Sequence, residues 1–140
     1  MADIVHQFLV HAPPSEVFPA IAQLDVWWTK RSPGELAEGA EVQLWFGPDY
    51  DWRARVSRYV PDVEIELELT RAQEDWQGTR VGWRLEEEGG GTGVHFHHLG
   101  WPEDNVHYRI SCYCWAMYLR LLKRFVEHGE VVPYEDRLEV

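Results

Sequence analysis

The stretch from Val106 to His128 constrains the fold more than any other, because it reads as one helix with too much apolar surface for flat packing. At 100° per residue, Val106, Ile110, Tyr113, Cys114, Met117, Leu121 and Phe125 fall on one side, and Tyr108, Trp115, Tyr118, Leu119, Leu122 and Val126 continue the arc. Arg109, Arg120, Lys123 and Glu127 mark a narrow polar stripe, so roughly two thirds of the circumference has to leave water. Gly129 stands just past the last periodic residue, and Pro102, Asp104 and Asn105 supply capping candidates at the start. Such a helix needs a partner that wraps around it.

The preceding chain supplies one. Residues 3–11 alternate as a strand with Ile4, Phe8 and Val10 on one face and His6 among them, and Pro13 and Pro14 stop it. A short helix through about Leu24 carries Val17, Phe18, Ile21 and Leu24 at helical spacing, and a second helical turn from Asp25 carries Trp27 and Trp28. From Ala40 the period becomes two, the signature of an antiparallel meander. Its clearest strand sets Val63, Ile65, Leu67 and Leu69 inward against Glu64, Glu66 and Glu68, which are expected to face water. The last strand, Thr92 to Gly100, puts Val94, Phe96 and His98 on the inner face and His95 and His97 on the outer one. The expected class is α+β in the order β-α-α-β-β-β-β-β-α, with a curved antiparallel sheet of about six strands wrapped round the long helix.

A chain of 140 residues without internal repeat or linker fits one domain, residues 1–140, and can bury a core without a disulfide or metal. Cys112 and Cys114 lie two apart on a helix, about 200° around its axis, and are expected to be free thiols. A net charge of -11 argues against a nucleic-acid footprint. No apolar run approaches the ~20 residues that cross a bilayer, and no signal-like start is present, so a cytoplasmic location without membrane insertion is expected.

Four segments carry a family resemblance: Val10 to Phe18 with its Ala12-Pro13 and Glu16-Val17-Phe18, Trp27-Trp28-Thr29, Gly91 to Trp101, and the closing helix. In order and spacing they resemble the START-related, Bet v 1-like (SRPBCC) superfamily, most closely the family typed by the activator of heat-shock protein 90 ATPase homologue. The resemblance spans nearly the whole chain and implies a helix-grip fold with an internal cavity, in a superfamily whose members bind lipids, sterols, polyketides and other hydrophobic molecules. Fold alone does not assign an activity.

Site residues have to carry the functional case. Trp28, Phe46, Trp52, Trp83, Phe96, Tyr113 and Met117 project inward by periodicity, and together with His98 they are the expected ligand-binding set for a small hydrophobic molecule. Two alternatives stay open at this level: the rings line a cavity or fill it, and His98 hydrogen-bonds a ligand or a core neighbour. Tyr113, Cys114 and Tyr118 are expected on the cavity wall, and Ile110, Met117 and Leu121 against the sheet. His95 and His97 share the outer face as solvated side chains without a third ligand, so neither metal nor cofactor is expected. None of Ser15, Ser32, Ser57 and Ser111 stands in a nucleophile elbow, and Gly89-Gly90-Gly91 joins strands rather than cradling phosphate. No catalytic residue is therefore assigned. A cyclase or dehydratase using His98, or a chaperone-ATPase-regulating module working through Glu64, Glu66 and Glu68, are the alternatives, and the chain is expected as a monomer or homodimer.

Overall fold

The computed structural model describes residues 1–139. Its elements are β1 (Ala2–Val10), α1 (Pro14–Ala22), α2 (Leu24–Trp27), β2 (Glu41–Trp45), β3 (Asp51–Val60), β4 (Glu64–Arg71), β5 (Arg80–Glu88), β6 (Gly91–Trp101) and α3 (Val106–His128), followed by a 3-10 turn (Tyr134–Glu139). Every expected element is present in the expected order.

The six strands form one antiparallel sheet in the order β1-β6-β5-β4-β3-β2. The first strand therefore pairs with the last, and α1 and α2 span the gap between the two edge strands. Alternation sends Ile65, Leu67 and Leu69 of β4, Val81, Trp83 and Leu85 of β5, and Val94 and Phe96 of β6 into a single buried cluster. The curved sheet grips α3 on that face, which is the helix-grip architecture. Burying apolar surface on this scale, at about 25 cal/mol per Å², is what holds helix and sheet together.

The caps of α3 explain its length. Asn105 Oδ1 accepts from the Tyr108 amide at 2.9 Å, satisfying one of the free donors of the first turn. Gly129 ends the helix in the left-handed region at φ 66°, where only glycine sits without strain.

The buried face of α3 differs from the expected arc. Ser111, Trp115, Leu119, Leu121 and Leu122 are buried, whereas Val106, Ile110 and Tyr113 are 67%, 56% and 80% exposed. When the apolar arc is wider than the contact the sheet offers, the pattern fixes the helix but not its rotation. The large Trp115 occupies the centre of the contact and turns the Val106-Ile110-Tyr113 edge outward.

Glu66 is a second correction. Glu64 and Glu68 are half-buried, but Glu66 is only 9% exposed, because His97 Nε2 lies 2.9 Å from one carboxylate oxygen and Ser57 donates to the other at 2.9 Å. The His97 ring reaches that position by lying flat over Gly82, where a Cβ would stand 2.5 Å from the imidazole. His97 is thus a paired side chain rather than a solvated one, and the outer face of the sheet carries a buried polar contact that alternation alone cannot show.

Candidate functional site

A cavity of about 250 Å³ opens between the first half of α3, the β2–β3 hairpin and the loop joining β4 to β5. Trp28 enters it from the residue after α2, Phe46 and Tyr50 from the turn after β2, and Trp52 from β3. Gln73 and Trp76 close it from the β4–β5 loop, and His107, Ile110, Ser111, Cys114, Trp115 and Tyr118 form its helical wall.

The aromatic rings form a continuous shell. Trp28 and Trp115 stand 4.8 Å apart between centroids, Trp52 and Trp76 5.0 Å, and Phe46 and Trp52 5.3 Å. Trp76 stacks on Trp115 at 5.9 Å, so the loop is pinned to the helix. Such contacts add about 0.5–1.5 kcal/mol each beyond the area they bury.

Of the eight residues expected to bind ligand, Trp28, Phe46 and Trp52 line the cavity. Trp83 and Phe96 are fully buried behind it, with Phe96 packed 4.5 Å from the Trp115 ring. Met117 is half-buried and lies off the cavity wall. Tyr113 is on the surface rather than inward, on the edge of α3 that the packing of Trp115 turns to solvent. Cys114 and Tyr118 do lie on the wall as expected, while Ile110 stands at the mouth instead of against the sheet.

His98 is a core histidine with both nitrogens engaged. Trp115 Nε1 donates to His98 Nδ1 at 3.0 Å, so Nε2 carries the proton and donates to Thr79 Oγ1 at 2.9 Å. The Thr79 hydroxyl in turn donates to the Trp76 carbonyl at 2.6 Å. Burial, with the nearby His97 and His107 adding to it, pushes the imidazole down from 6.5 to about 3, so it stays neutral. No nitrogen is left for a substrate, and the chain of bonds serves to fix Trp115 and the Trp76 loop as cavity walls.

Chemical potential at the wall is modest. Burial pushes the Tyr118 phenol up to about 12, with Tyr134 and Cys114 adding and Arg137 opposing, so it remains a neutral donor. Burial likewise raises the Cys114 thiol, which disfavours the thiolate. His107 Nδ1 lies within hydrogen-bond distance of Asp75 at the mouth, at 2.8 Å. Ser57 bonds to Glu66 rather than to His97, so these three side chains lack the order of a nucleophile and its base. The arrangement is suited to holding a molecule.

Among the lining residues outside the expected set is Trp76, which lies in the polar loop between β4 and β5 yet is 7% exposed and in contact with four other aromatic or imidazole rings. A lone tryptophan in a polar loop was the available signal. Arg137 was also missed: it is 4% exposed and ties the 3-10 turn to the backbone beside Trp28.

Residues 11–127 match the family model described as activator of Hsp90 ATPase homolog 1-like protein. The chain belongs to this family. Comparison with curated proteins finds no matching sequence. Among solved structures, the Aha1 dimer from Colwellia psychrerythraea is 25% identical with a TM-score of 0.83, over 93% of this chain and 99% of that one. The SSP2350 protein from Staphylococcus saprophyticus is 20% identical with a TM-score of 0.77, over 94% and 96%. CalU16 from Micromonospora echinospora is 21% identical with a TM-score of 0.71, over 98% and 83%. These likenesses bear out the family and the fold expected from the Val10–Phe18, Trp27–Thr29 and Gly91–Trp101 segments. Among the described residues, no helix is long and apolar enough to cross a membrane.

Proposed function

We propose that residues 1–140 act as one helix-grip domain, located in the cytoplasm, that holds a small, flat hydrophobic molecule between α3 and the sheet. The observation that carries this reading is the cavity of about 250 Å³ walled by Trp28, Phe46, Trp52, Trp76 and Trp115. Its size lies just below the usual range of about 300–1,000 Å³ for small-molecule sites, which selects a ligand of few rings rather than a long lipid. Ser111, Gln73 and the Tyr118 hydroxyl offer a few polar atoms to orient it. Trp83, Phe96 and His98 support the wall from behind.

Binding is read directly by quenching of tryptophan fluorescence, backed by calorimetry, against a panel of bicyclic aromatics, polyphenols, sterols and fatty acids. The expected result is saturable binding of flat aromatics that Ser111→Trp abolishes by filling the cavity without unfolding the chain. Absence of binding across the panel, or binding unchanged in Ser111→Trp, refutes the reading.

A second copy of the chain is the protein partner best supported, since the Colwellia relative is described as a dimer. The exposed Val106, Ile110 and Tyr113 edge supplies apolar surface for it. Sedimentation of wild type against Tyr113→Glu tests this, with self-association expected to weaken in the variant; a monomeric wild type refutes it.

A further inference from the structure

The face of the sheet turned away from α3 carries a second grouping that the cavity does not use. Glu86 and Glu88 project from β5, and His95 projects beside them from β6, where it is paired with Arg84. One ligand atom from each of the three lies within 4.8 Å of the other two.

The histidine is what distinguishes this set from a patch of surface acid. His95 Nε2 stands 3.2 Å from Glu86 Oε2, yet it makes no hydrogen bond and has no contact with solvent. The imidazole is 24% exposed, so its free nitrogen is shielded by its own surroundings rather than left in water. The two atoms are close enough to share a ligand without being hydrogen-bonded to each other. Two ligands of one tetrahedral zinc-class ion stand about 3.3–3.6 Å apart, given metal–ligand lengths of about 2.0–2.2 Å, so the His95–Glu86 separation is close to that spacing.

Glu88 supplies an independent sign. It lies at the exposed end of a hairpin and could extend into water, but its carboxylate folds back over Gly93, where a Cβ would stand 2.7 Å from Oε1 and 2.8 Å from the carboxyl carbon. Gly93 opposite Glu86 and Gly91 opposite Glu88 leave this part of β6 bare, so both carboxylates can lie toward His95. Two like charges gathered at one point in a chain of net charge -11 repel each other. Arg84 forms a long ion pair with Glu86 at 3.9 Å, beyond hydrogen-bond range.

We propose that Glu86, Glu88 and His95 form a binding site for a divalent transition-metal ion of the Zn²⁺ type, with water completing the coordination. The imidazole sets the class, because Mg²⁺ and Ca²⁺ take oxygen ligands, whereas one nitrogen with two carboxylates suits Zn²⁺ and its first-row neighbours. Such an ion clasps β5 to β6 beside the turn at Gly89 and Gly90 and leaves water-bearing positions open to the outside.

The test uses the full chain without an affinity tag, stripped with chelator and titrated with ZnCl₂ by calorimetry, then with Co²⁺ by visible absorption. Binding of one ion per chain is expected, weakened at least ~10-fold in His95→Gln and in Glu88→Gln, and unchanged in His128→Gln. Gly93→Ala is expected to weaken it similarly by displacing the Glu88 carboxylate. Thermal melts confirm that each variant is folded, and Glu88→Gln, an exposed substitution, keeps the test open if His95→Gln is not. No uptake, uptake that survives both His95→Gln and Glu88→Gln, a thiolate charge-transfer band from Cys112 or Cys114, or equal displacement by Mg²⁺ each overturns the proposal.

Discussion

Replacing Arg137 with alanine is expected to destabilise the chain by about 3–5 kcal/mol, a large effect for a residue in a short terminal turn. The guanidinium is 4% exposed and donates to five backbone carbonyls: Nε to Val132 at 3.0 Å, Nη1 to Trp28 at 3.1 Å and Thr29 at 2.9 Å, and Nη2 to Asp25 at 3.0 Å and Val26 at 2.8 Å. Four of these carbonyls belong to α2 and the residues just after it, where a helix end leaves acceptors without partners. A bond from a charged donor is worth about 1.5–3 kcal/mol when one side is removed, but truncation admits water to some of the freed carbonyls, so the five do not add. Burial pulls the Arg137 pKa down, yet an arginine stays protonated throughout the working range, and the charge is solvated by these carbonyls instead of water. Urea unfolding followed by tryptophan fluorescence gives the free energy, and the near-UV dichroism of the native state reports whether Trp28 keeps its setting. Arg137→Lys should recover less than half of the loss, because one ammonium cannot reach carbonyls placed for a planar fork. A loss below about 1 kcal/mol for Arg137→Ala, or full stability in Arg137→Lys, refutes the account.

Two further outcomes test the core. The unfolded chain holds His98 near 6.5 and the folded chain near 3, so the unfolded state binds the extra proton between those values, and the neutral imidazole's contribution is present above about 6.5 and lost as pH falls toward 3. Unfolding free energies of wild type and His98→Leu, compared from pH 7 to pH 4, should therefore show a wild-type slope steeper by up to about 1.4 kcal/mol per pH unit; parallel curves would refute a neutral buried histidine. In Gly82→Ala the new Cβ meets the His97 ring at 2.5 Å, so the imidazole must lift off Glu66 and leave a nearly buried carboxylate with Ser57 as its remaining partner. A loss of about 2–3 kcal/mol is expected in denaturant unfolding, and a neutral result would show that the ring shifts without breaking the pair.

Legibility of the fold followed from where the periodicities are unambiguous. The alternation of Ile65, Leu67 and Leu69 and the capped run from Val106 to His128 each fix the kind of element, although Val63, expected inward with the first group, precedes β4 and is 47% exposed. A curved sheet is what a wide apolar helix needs around it. Legibility of the site stopped at three points. An arc of two thirds of a helix does not choose its own rotation, which is why Tyr113 was placed inward and stands 80% exposed. Pattern rules treat a non-periodic loop as surface, which hid Trp76. Long-range hydrogen bonds leave no local trace: the partners of His98 are 17 and 19 residues away, and those of Arg137 in the Asp25–Thr29 segment are more than 100 away.

These same long-range bonds explain why a chain with eight tryptophans keeps a cavity at all. Close packing at interior density leaves few voids, and flexible rings beside an empty space would swing in and fill it. Part of the cavity wall lacks that freedom. Trp115 is held from behind by His98 Nδ1, and the Trp76 backbone by the Thr79 hydroxyl, both links of one hydrogen-bonded chain. Trp28 follows a turn whose carbonyls are fixed by Arg137. Movement of the Trp115 ring into the space would require breaking its buried hydrogen bond at about 1–3 kcal/mol, comparable with the contact energy it would gain, while Trp76 and Trp28 are fixed at the backbone and hold their rings by packing on Trp115. The void is thus kept open by polar groups that never touch its contents, and variants of His98 or Arg137 should lose ligand affinity through a slackened wall even where the fold survives.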